Sequence, residues 1–326
     1  MPDLERDIVK EHKKEIIKGL IIFGLILIVI RRMDIKHIKD CLVNTNKFMI
    51  LLALIIVCLM CLTLAIKWKI LLKNLQLMQL IKGVLVAHIV TYSLGGQLLG
   101  EGSKLLAMKN TKEQLEKVTA SILLDKITGL IGVFIVGLFG MFFSRVPLAN
   151  EYKVLYCLTV GGSIFLFSFF LNCKIIKLIK NCSQKLIKKS GFLEKLGVFF
   201  ANISIAIEQF INEWKRVALS VGAGIIVQII SISISFIICY AIGIKVDFWG
   251  LCWIISLISV ISLIPLSVMG IGINQISTIG ILAMVGVAKE KAAAYTVVTY
   301  IIMVGVALLA GIFLMICSIY EKRRER

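Results

Sequence analysis

Four ionisable residues, Glu101, Lys104, Asp125 and Lys126, stand in or beside apolar stretches where charge is costly. Holding such a group at membrane depth costs roughly 2.5–3.5 kcal/mol on insertion scales, so each needs a partner or a purpose. Glu101 and Lys104 are three residues apart and share one face if the chain is helical there. Asp125-Lys126 follows inside the next apolar run, and the set is charge-neutral. Two readings are open. One is a pair of structural ion pairs joining a broken hairpin to its neighbour. The other is a polar cavity in which Lys104 and Lys126 meet an anionic headgroup.

The break itself is TYSLGGQLLGEGSK, with glycines at 95, 96, 100 and 102. It has neither the G-x-x-x-x-G-K-[ST] spacing of a phosphate loop nor the G-x-G-x-x-G of a dinucleotide site. A helix restarting after Gly100 would still aim unpaired N–H groups and a positive dipole end at a phosphate. Gly96-x-x-x-Gly100 is equally the spacing of close helix packing. A second polar notch holds Pro265, Gly270, Gly272, Asn274 and Gln275. It is either a kink whose amides bond neighbouring helices, or the opposing wall of the same cavity, with Asn274 and Gln275 bonding a headgroup. Gln97 belongs with the first wall. His88, Gln228 and the Ser231/Ser233/Ser235 series read as interhelical hydrogen bonds, and Gly129, Gly132, Gly137 and Gly140 as a packing face.

Enzyme chemistry finds little support. There are only three histidines, His12, His37 and His88, so a His-based metal centre is not expected. Cys58 and Cys61 form a C-x-x-C inside an apolar run, where cysteine packs as a small hydrophobe. No nucleophile–base pair, metal cluster or paired catalytic carboxylates emerges. The expectation is no catalytic residue, no metal and no cofactor.

The elements that must position these residues follow from composition. The 326 residues are 59% hydrophobic and 17% charged, with mean hydropathy +0.96. Soluble domains run at roughly 45–50% apolar and about 25% charged. A disulfide scaffold, a disordered chain and a large soluble catalytic domain are all excluded. Strand-like alternation is absent, which argues against a barrel. The fold class is an all-α polytopic membrane protein, a single transmembrane domain over residues 1–326.

Apolar runs place six full crossings at Ile16–Ile30, Phe48–Ile66, Lys117–Phe143, Leu155–Leu171, Val217–Gly243 and Ala292–Ile319. Two further segments, 83–109 and 251–288, are apolar but interrupted by glycine and proline, which break helices. Irregular backbone survives at membrane depth only against protein or water. Both are therefore read as re-entrant helical hairpins. The first half, 1–173, and the second, 217–319, then each hold one, opening to opposite sides, in an inverted pseudo-repeat of the kind secondary transporters use. Between them, 174–216 is a basic linker with an amphipathic piece at Phe192–Ile211 suited to the membrane surface.

The formal charge is +18, and the cations sit in short loops where they set orientation. With both termini cytoplasmic, inside segments hold 26 Lys/Arg and outside loops 10. In this reading 67–82 is an inside loop, and Ile66-Lys67-Trp68-Lys69 is an interfacial end. No nucleic-acid partner is implied.

The order IKWKILLK, GGQLLGEGSKLLAMK, ASILLDKITGL, IPLSVMGIGINQ and GVAKEKAAAYTVVTYII resembles the flippase-like transmembrane family. That family is the membrane region of lysylphosphatidylglycerol synthase/flippase proteins and their stand-alone relatives. Its usual Pro-x-Arg-x-Gly-Glu element ends here in Gly100-Glu101, with Gln97 or a nearby position where the Arg is expected. Lys104 resembles the Arg that commonly follows, Asp125-Lys126 resembles a Glu-Arg pair, and Gln275 replaces a usual Glu. These departures leave room for a substrate other than that of the well-known members. The resemblance implies a flippase in the cytoplasmic membrane, moving a phospholipid or glycolipid with a charged or glycosylated head. Synthase members carry a soluble aminoacyl-transferase domain that nothing here matches, so lysyl-lipid synthesis is not expected. The partners implied are membrane lipids, anionic or polyprenyl-linked. A non-transporting role beside a synthase or glycosyltransferase, an integral-membrane lipid transferase, and an oligomer stay compatible with the sequence.

Overall fold

The computed structural model describes residues 45–94, 96–109, 115–145, 154, 161, 173–187, 192–262, 267–268 and 271–324. The described residues form ten helices and one very short ribbon. The helices are α1 (Lys47–Leu71), α2 (Leu77–Leu94), α3 (Gln97–Met108), α4 (Leu115–Phe143), α5 (Cys173–Ile187), α6 (Phe192–Asn212), α7 (Trp214–Ile242), α8 (Phe248–Ile261), α9 (Ile273–Met284) and α10 (Lys289–Arg324). Strands β1 (Ser267–Val268) and β2 (Ile271–Gly272) pair antiparallel between α8 and α9. An all-α chain was expected; the ribbon is a small addition inside the second interruption.

Four helices, α1, α4, α7 and α10 as far as Glu321, are long and apolar enough to cross a membrane. The protein is a helical membrane protein with several apolar spans. The expected crossing at 16–30, and that at 155–171 apart from residue 161, lie outside the described residues. Each observed span is longer than its apolar run, because flanking polar residues continue the helix. The clearest case is α1, which runs five residues past Ile66 to Leu71. Asn46 starts it, accepting the Phe48 N–H at 3.0 Å, as capping residues do. Gly243, at φ 75, ends α7 in the left-handed conformation that glycine adopts most cheaply.

Helix α1 shows how the sequence separates lipid from protein. Ala53, Val57, Cys61, Ala65 and Trp68 recur every three or four residues and are buried, while Phe48, Leu51, Ile55, Leu59, Leu62 and Ile66 form an exposed stripe. In water that contiguous apolar face would be an aggregation surface; in a bilayer it meets acyl chains. The buried stripe packs on α7, which also lies along α4, and α8 covers the far end of α4.

Glycines set the closest approaches. A Cβ on Gly132 would stand 2.6 Å from the Gly224 carbonyl carbon and 2.7 Å from the Ile225 nitrogen, so α4 and α7 touch backbone to backbone. The Thr128 and Ser220 hydroxyls, 2.8 Å apart, bond across the same crossing. Gly140 likewise meets α8, its Cβ position 2.8 Å from the Trp249 carbonyl. For Gly132 and Gly140 the expected packing face is therefore what the structure has. Gly132→Ala is expected to destabilise by about 1–3 kcal/mol despite alanine's better helix propensity, because backbone atoms cannot swing aside. Gly222→Ala on α7, where nothing lies within 4 Å, is the control that should hold or raise the melting temperature.

Both interrupted segments are seen. Helix α2 stops at Leu94, Gly96 caps α3 in extended conformation, and α3 folds back so tightly that Gly100 abuts Ala87 and Thr91. In the second segment α8 ends at Ile261, and α9 returns against α8 and α10 after the ribbon. Pro265 and Gly270 lie outside the described residues. In the linker, α5 and α6 form a hairpin, crossing where Gly197 meets the Ser183 carbonyl and the Ile187 nitrogen. Ala206 and Phe210 of α6 seat it against Leu71, Ala120 and Leu124.

Candidate functional site

Three helices converge on the charged residues. Helix α1 brings Lys67, α3 brings Glu101 and Lys104 on one face, and α4 brings Asp125 and Lys126. Lys67 Nζ lies 2.7 Å from Asp125 Oδ1 and donates to the Asp125 backbone carbonyl as well. Lys104 Nζ lies 2.8 Å from Glu101 Oε2 and 3.7 Å from Asp125 Oδ2. Lys126 Nζ closes the series 3.0 Å from Glu101 Oε1. The charges alternate from Lys67 through Asp125, Lys104 and Glu101 to Lys126, and the chain carries one surplus positive charge.

Its surroundings hold it in place. The Lys104 ammonium sits 5.0 Å from the centre of the Trp68 ring, a cation–π contact. The same indole donates Nε1–H to Ser121 Oγ at 3.0 Å, which fixes the ring. Gly129, one turn after Asp125, leaves the room Lys67 needs: a Cβ there would be 3.3 Å from Nζ. Side-chain exposure rises along the chain, from 3% at Lys67 and 5% at Lys104 to 36% at Lys126. The buried end is therefore locked by two-sided pairing, while the Lys126 end faces open space.

That space is a cavity of about 290 Å³ lined by all five charged residues and by His88, Gln228, Ser231 and Ser259. A second cavity of about 180 Å³ shares Tyr92, Gln97, Ser231 and Ser259 with it. The second is lined from the other half of the chain by Gln275, Thr278 and Tyr300, among others. Two chambers thus adjoin, one charged and one not.

The sequence-nominated residues fall as follows. Glu101, Lys104, Asp125 and Lys126 meet in one network, Gln97 lines both chambers, and Gln275 lines the second. Gly100 is inside α3 rather than before it, because helix restarts at Gln97; its N–H is already given to the Gly96 carbonyl at 3.1 Å. The phosphate cradle expected after Gly100 is therefore not formed by that residue, whose part is to let α3 approach α2. Gly272 lies in β2 and Asn274 in the first turn of α9, while Gly270 is outside the described residues.

Lys67 corrects two expectations. It is not in a cytoplasmic loop but 2% exposed within α1, and with it the network is not neutral. Its signal was present: Met60, Leu64 and Lys67 share the helical period and all line the charged cavity. A lysine ending an apolar run is indistinguishable by type from one that snorkels to the interface; Lys69, two residues on, donates instead to the Lys73 carbonyl at 2.7 Å.

The remaining polar residues divide. His88 Nε2 lies 3.0 Å from the Met303 carbonyl and Gln228 donates to Ser256 at 3.3 Å, both between helices. Ser233 instead donates to the carbonyl one turn earlier on its own helix, whereas Ser235 does so and also hydrogen-bonds Tyr295 of α10, as the interhelical reading expects. Among the described residues no group of His, Cys, Asp and Glu is arranged to hold a metal. What the site can do is receive an anion at its exposed, positive end, inside a wall of apolar spans.

Residues 16–311 match the family described as the lysylphosphatidylglycerol synthase TM region. A comparison with curated proteins returns no match.

Proposed function

This chain belongs to the family of the lysylphosphatidylglycerol synthase TM region, and from that premise we propose that it is a lipid flippase. A phospholipid or glycolipid headgroup passes through the charged cavity while its acyl tails stay in the bilayer. The observation that carries this reading is the surplus positive charge at Lys126, the exposed end of an ion-pair chain in a cavity between apolar helices. In this scheme α2–α3 and α8–α9 are re-entrant hairpins entering from opposite faces of the cytoplasmic membrane. Six full crossings surround them, and both termini are cytoplasmic. The chain moves lipid and performs no group transfer of its own.

The test is headgroup exposure in liposomes carrying the purified protein. Losing a hydrogen bond to a charged group costs about 1.5–3 kcal/mol, so Lys126→Ala should slow exposure by roughly tenfold to a hundredfold. Lys104→Ala should do at least as much. Unchanged rates in both variants would remove the cavity from the mechanism. A second reading draws on the exposed lysines of α5, Lys177 and Lys185, as a docking face for a lipid-modifying enzyme. Co-purification of such an enzyme with a chain that moves no lipid would favour it.

A further inference from the structure

The second chamber offers oxygen without charge. None of its lining residues is acidic or basic, and amides and hydroxyls supply its polarity. The sequence extends this across the second half: no charged residue stands between Asp247 and Lys289, and none from Ala292 to Tyr320. Both interrupted segments contribute. Tyr92 comes from the last turn of α2 and Gln97 starts α3, while Ser259 and Ser262 come from the end of α8 and Gln275 from the first turn of α9. In carriers built on broken helices, coupling ions bind where the interruptions meet.

The direction of the hydroxyl protons narrows the occupant. Ser259 Oγ donates to the Ile255 carbonyl, Ser262 Oγ to the Ile258 carbonyl and Thr296 Oγ1 to the Ala293 carbonyl, each at 2.7 Å. Ser235 on α7 donates likewise to the Ser231 carbonyl at 3.0 Å and also hydrogen-bonds Tyr295. A hydroxyl has a single proton, so what these oxygens have left to give the chamber is lone pairs. Acceptors gathered among apolar helices call for a ligand that only donates, or for a cation. Divalent cations take carboxylates among their ligands, and this lining has none. Alkali cations are held by neutral oxygens, as in the carbonyl rings of selectivity filters. A volume of about 180 Å³ equals the share of roughly six liquid waters, room for an alkali ion with part of its hydration shell.

The neighbouring charges decide when the ion enters. Lys67, Lys104 and Lys126 outnumber Glu101 and Asp125 by one, and Tyr92, Gln97, Ser231 and Ser259 line both chambers. Before an anion binds, the surplus positive charge repels a cation next door. An anion at Lys126 cancels the surplus and attracts the cation instead, so each ligand favours the other. We infer that the second chamber is a binding site for a monovalent alkali cation that loads together with the anion held at Lys126. This rests on the reading of the first chamber as the anion site of a flippase, and adds the ion coupled to it.

Binding to the purified full chain in zwitterionic nanodiscs tests it without depending on transport. The probes are radiolabelled sodium, potassium chloride, ethylammonium chloride, and dihexyl phosphate as the monoanion, with choline chloride as the inert salt. Sodium or potassium is expected to bind saturably, and dihexyl phosphate to tighten that binding by about tenfold; the same alkali ion should tighten dihexyl phosphate by the same factor, and choline should not. Ser262→Ala and Thr296→Val remove oxygens whose protons serve their own helices, and each should weaken alkali binding by at least about tenfold. Ser262→Thr and Thr296→Ser should keep it. In choline chloride all four variants should hold dihexyl phosphate within about twofold of wild type. No saturable alkali binding with dihexyl phosphate present, or binding unchanged in both Ser262→Ala and Thr296→Val, would overturn the cation site; dihexyl phosphate binding that Lys126→Ala weakens would then leave the flippase reading standing. Ethylammonium displacing labelled sodium at lower concentration than either alkali ion would assign the chamber to an amine and overturn the alkali site. No binding of dihexyl phosphate to the wild type would end the anion reading and the coupling with it.

Discussion

Asp125→Ala is expected to cost the folded protein about 3–5 kcal/mol, the range measured when one partner is deleted from a buried ion pair. Asp125 is the hinge of the charge chain, 2.7 Å from Lys67 and 3.7 Å from Lys104. Without it both ammonium groups stay buried, and Glu101 alone must answer for three lysines. Asn in place of Asp keeps the shape and removes the charge, so Asp125→Asn should lose nearly as much. Pairing the deletion with Lys67→Met removes one stranded cation and should restore a good part of the loss. Thermal melting of detergent-purified protein by size-exclusion recovery measures all of these. A melting temperature for Asp125→Ala within about a degree of wild type would mean the network holds nothing together, because 1 kcal/mol alone shifts Tm by several degrees in a domain.

Gly100→Ala is the second large effect, and its damage is aimed at the site. The added methyl would stand 1.9 Å from Thr91 Oγ1 and 2.7 Å from the Ala87 carbonyl oxygen. Trimming the first obstacle with Thr91→Ala leaves the second, a backbone atom, in place. The double variant should therefore stay impaired. Overfilling of this kind costs about 1–3 kcal/mol, and relief comes only if α3 moves off α2. Glu101 follows immediately and Lys104 one turn on, so the move pulls both away from Asp125 and Lys126. The expected outcome is a modest fall in melting temperature with a near-complete loss of headgroup exposure in liposomes. Full lipid movement by Gly100→Ala would show that close packing of the hairpin is not what positions the charges.

Much of this was legible in the residues. Charge at membrane depth singled out Glu101, Lys104, Asp125 and Lys126, because their cost there demands partners, and the structure joins them. The glycine cluster announced the break between α2 and α3, since the chain cannot hold helix cheaply through Gly95-Gly96. The missing pieces were those in which one residue type serves two ends. Lys67 carried the same label as a surface lysine, and only the continuation of α1 to Leu71 turns it inward. Ser233 looked like a bond to a neighbour, but a helical serine can satisfy its own backbone. Gly100 looked like a helix start and is a contact point within one, a distinction that depends on where Gln97 resumes the helix.

The alternation of signs from Lys67 to Lys126 has a further consequence. An empty site of bare lysines would grip the first anion it met and let go slowly. Here each lysine already stands against a carboxylate, so under the proposed flippase reading an incoming anion would be admitted by exchange, taking Lys126 as Glu101 yields it. When the guest moved on, the same carboxylate would reclaim the lysine. Such a self-quenched receptor would favour turnover over retention, which suits the carrier role proposed above.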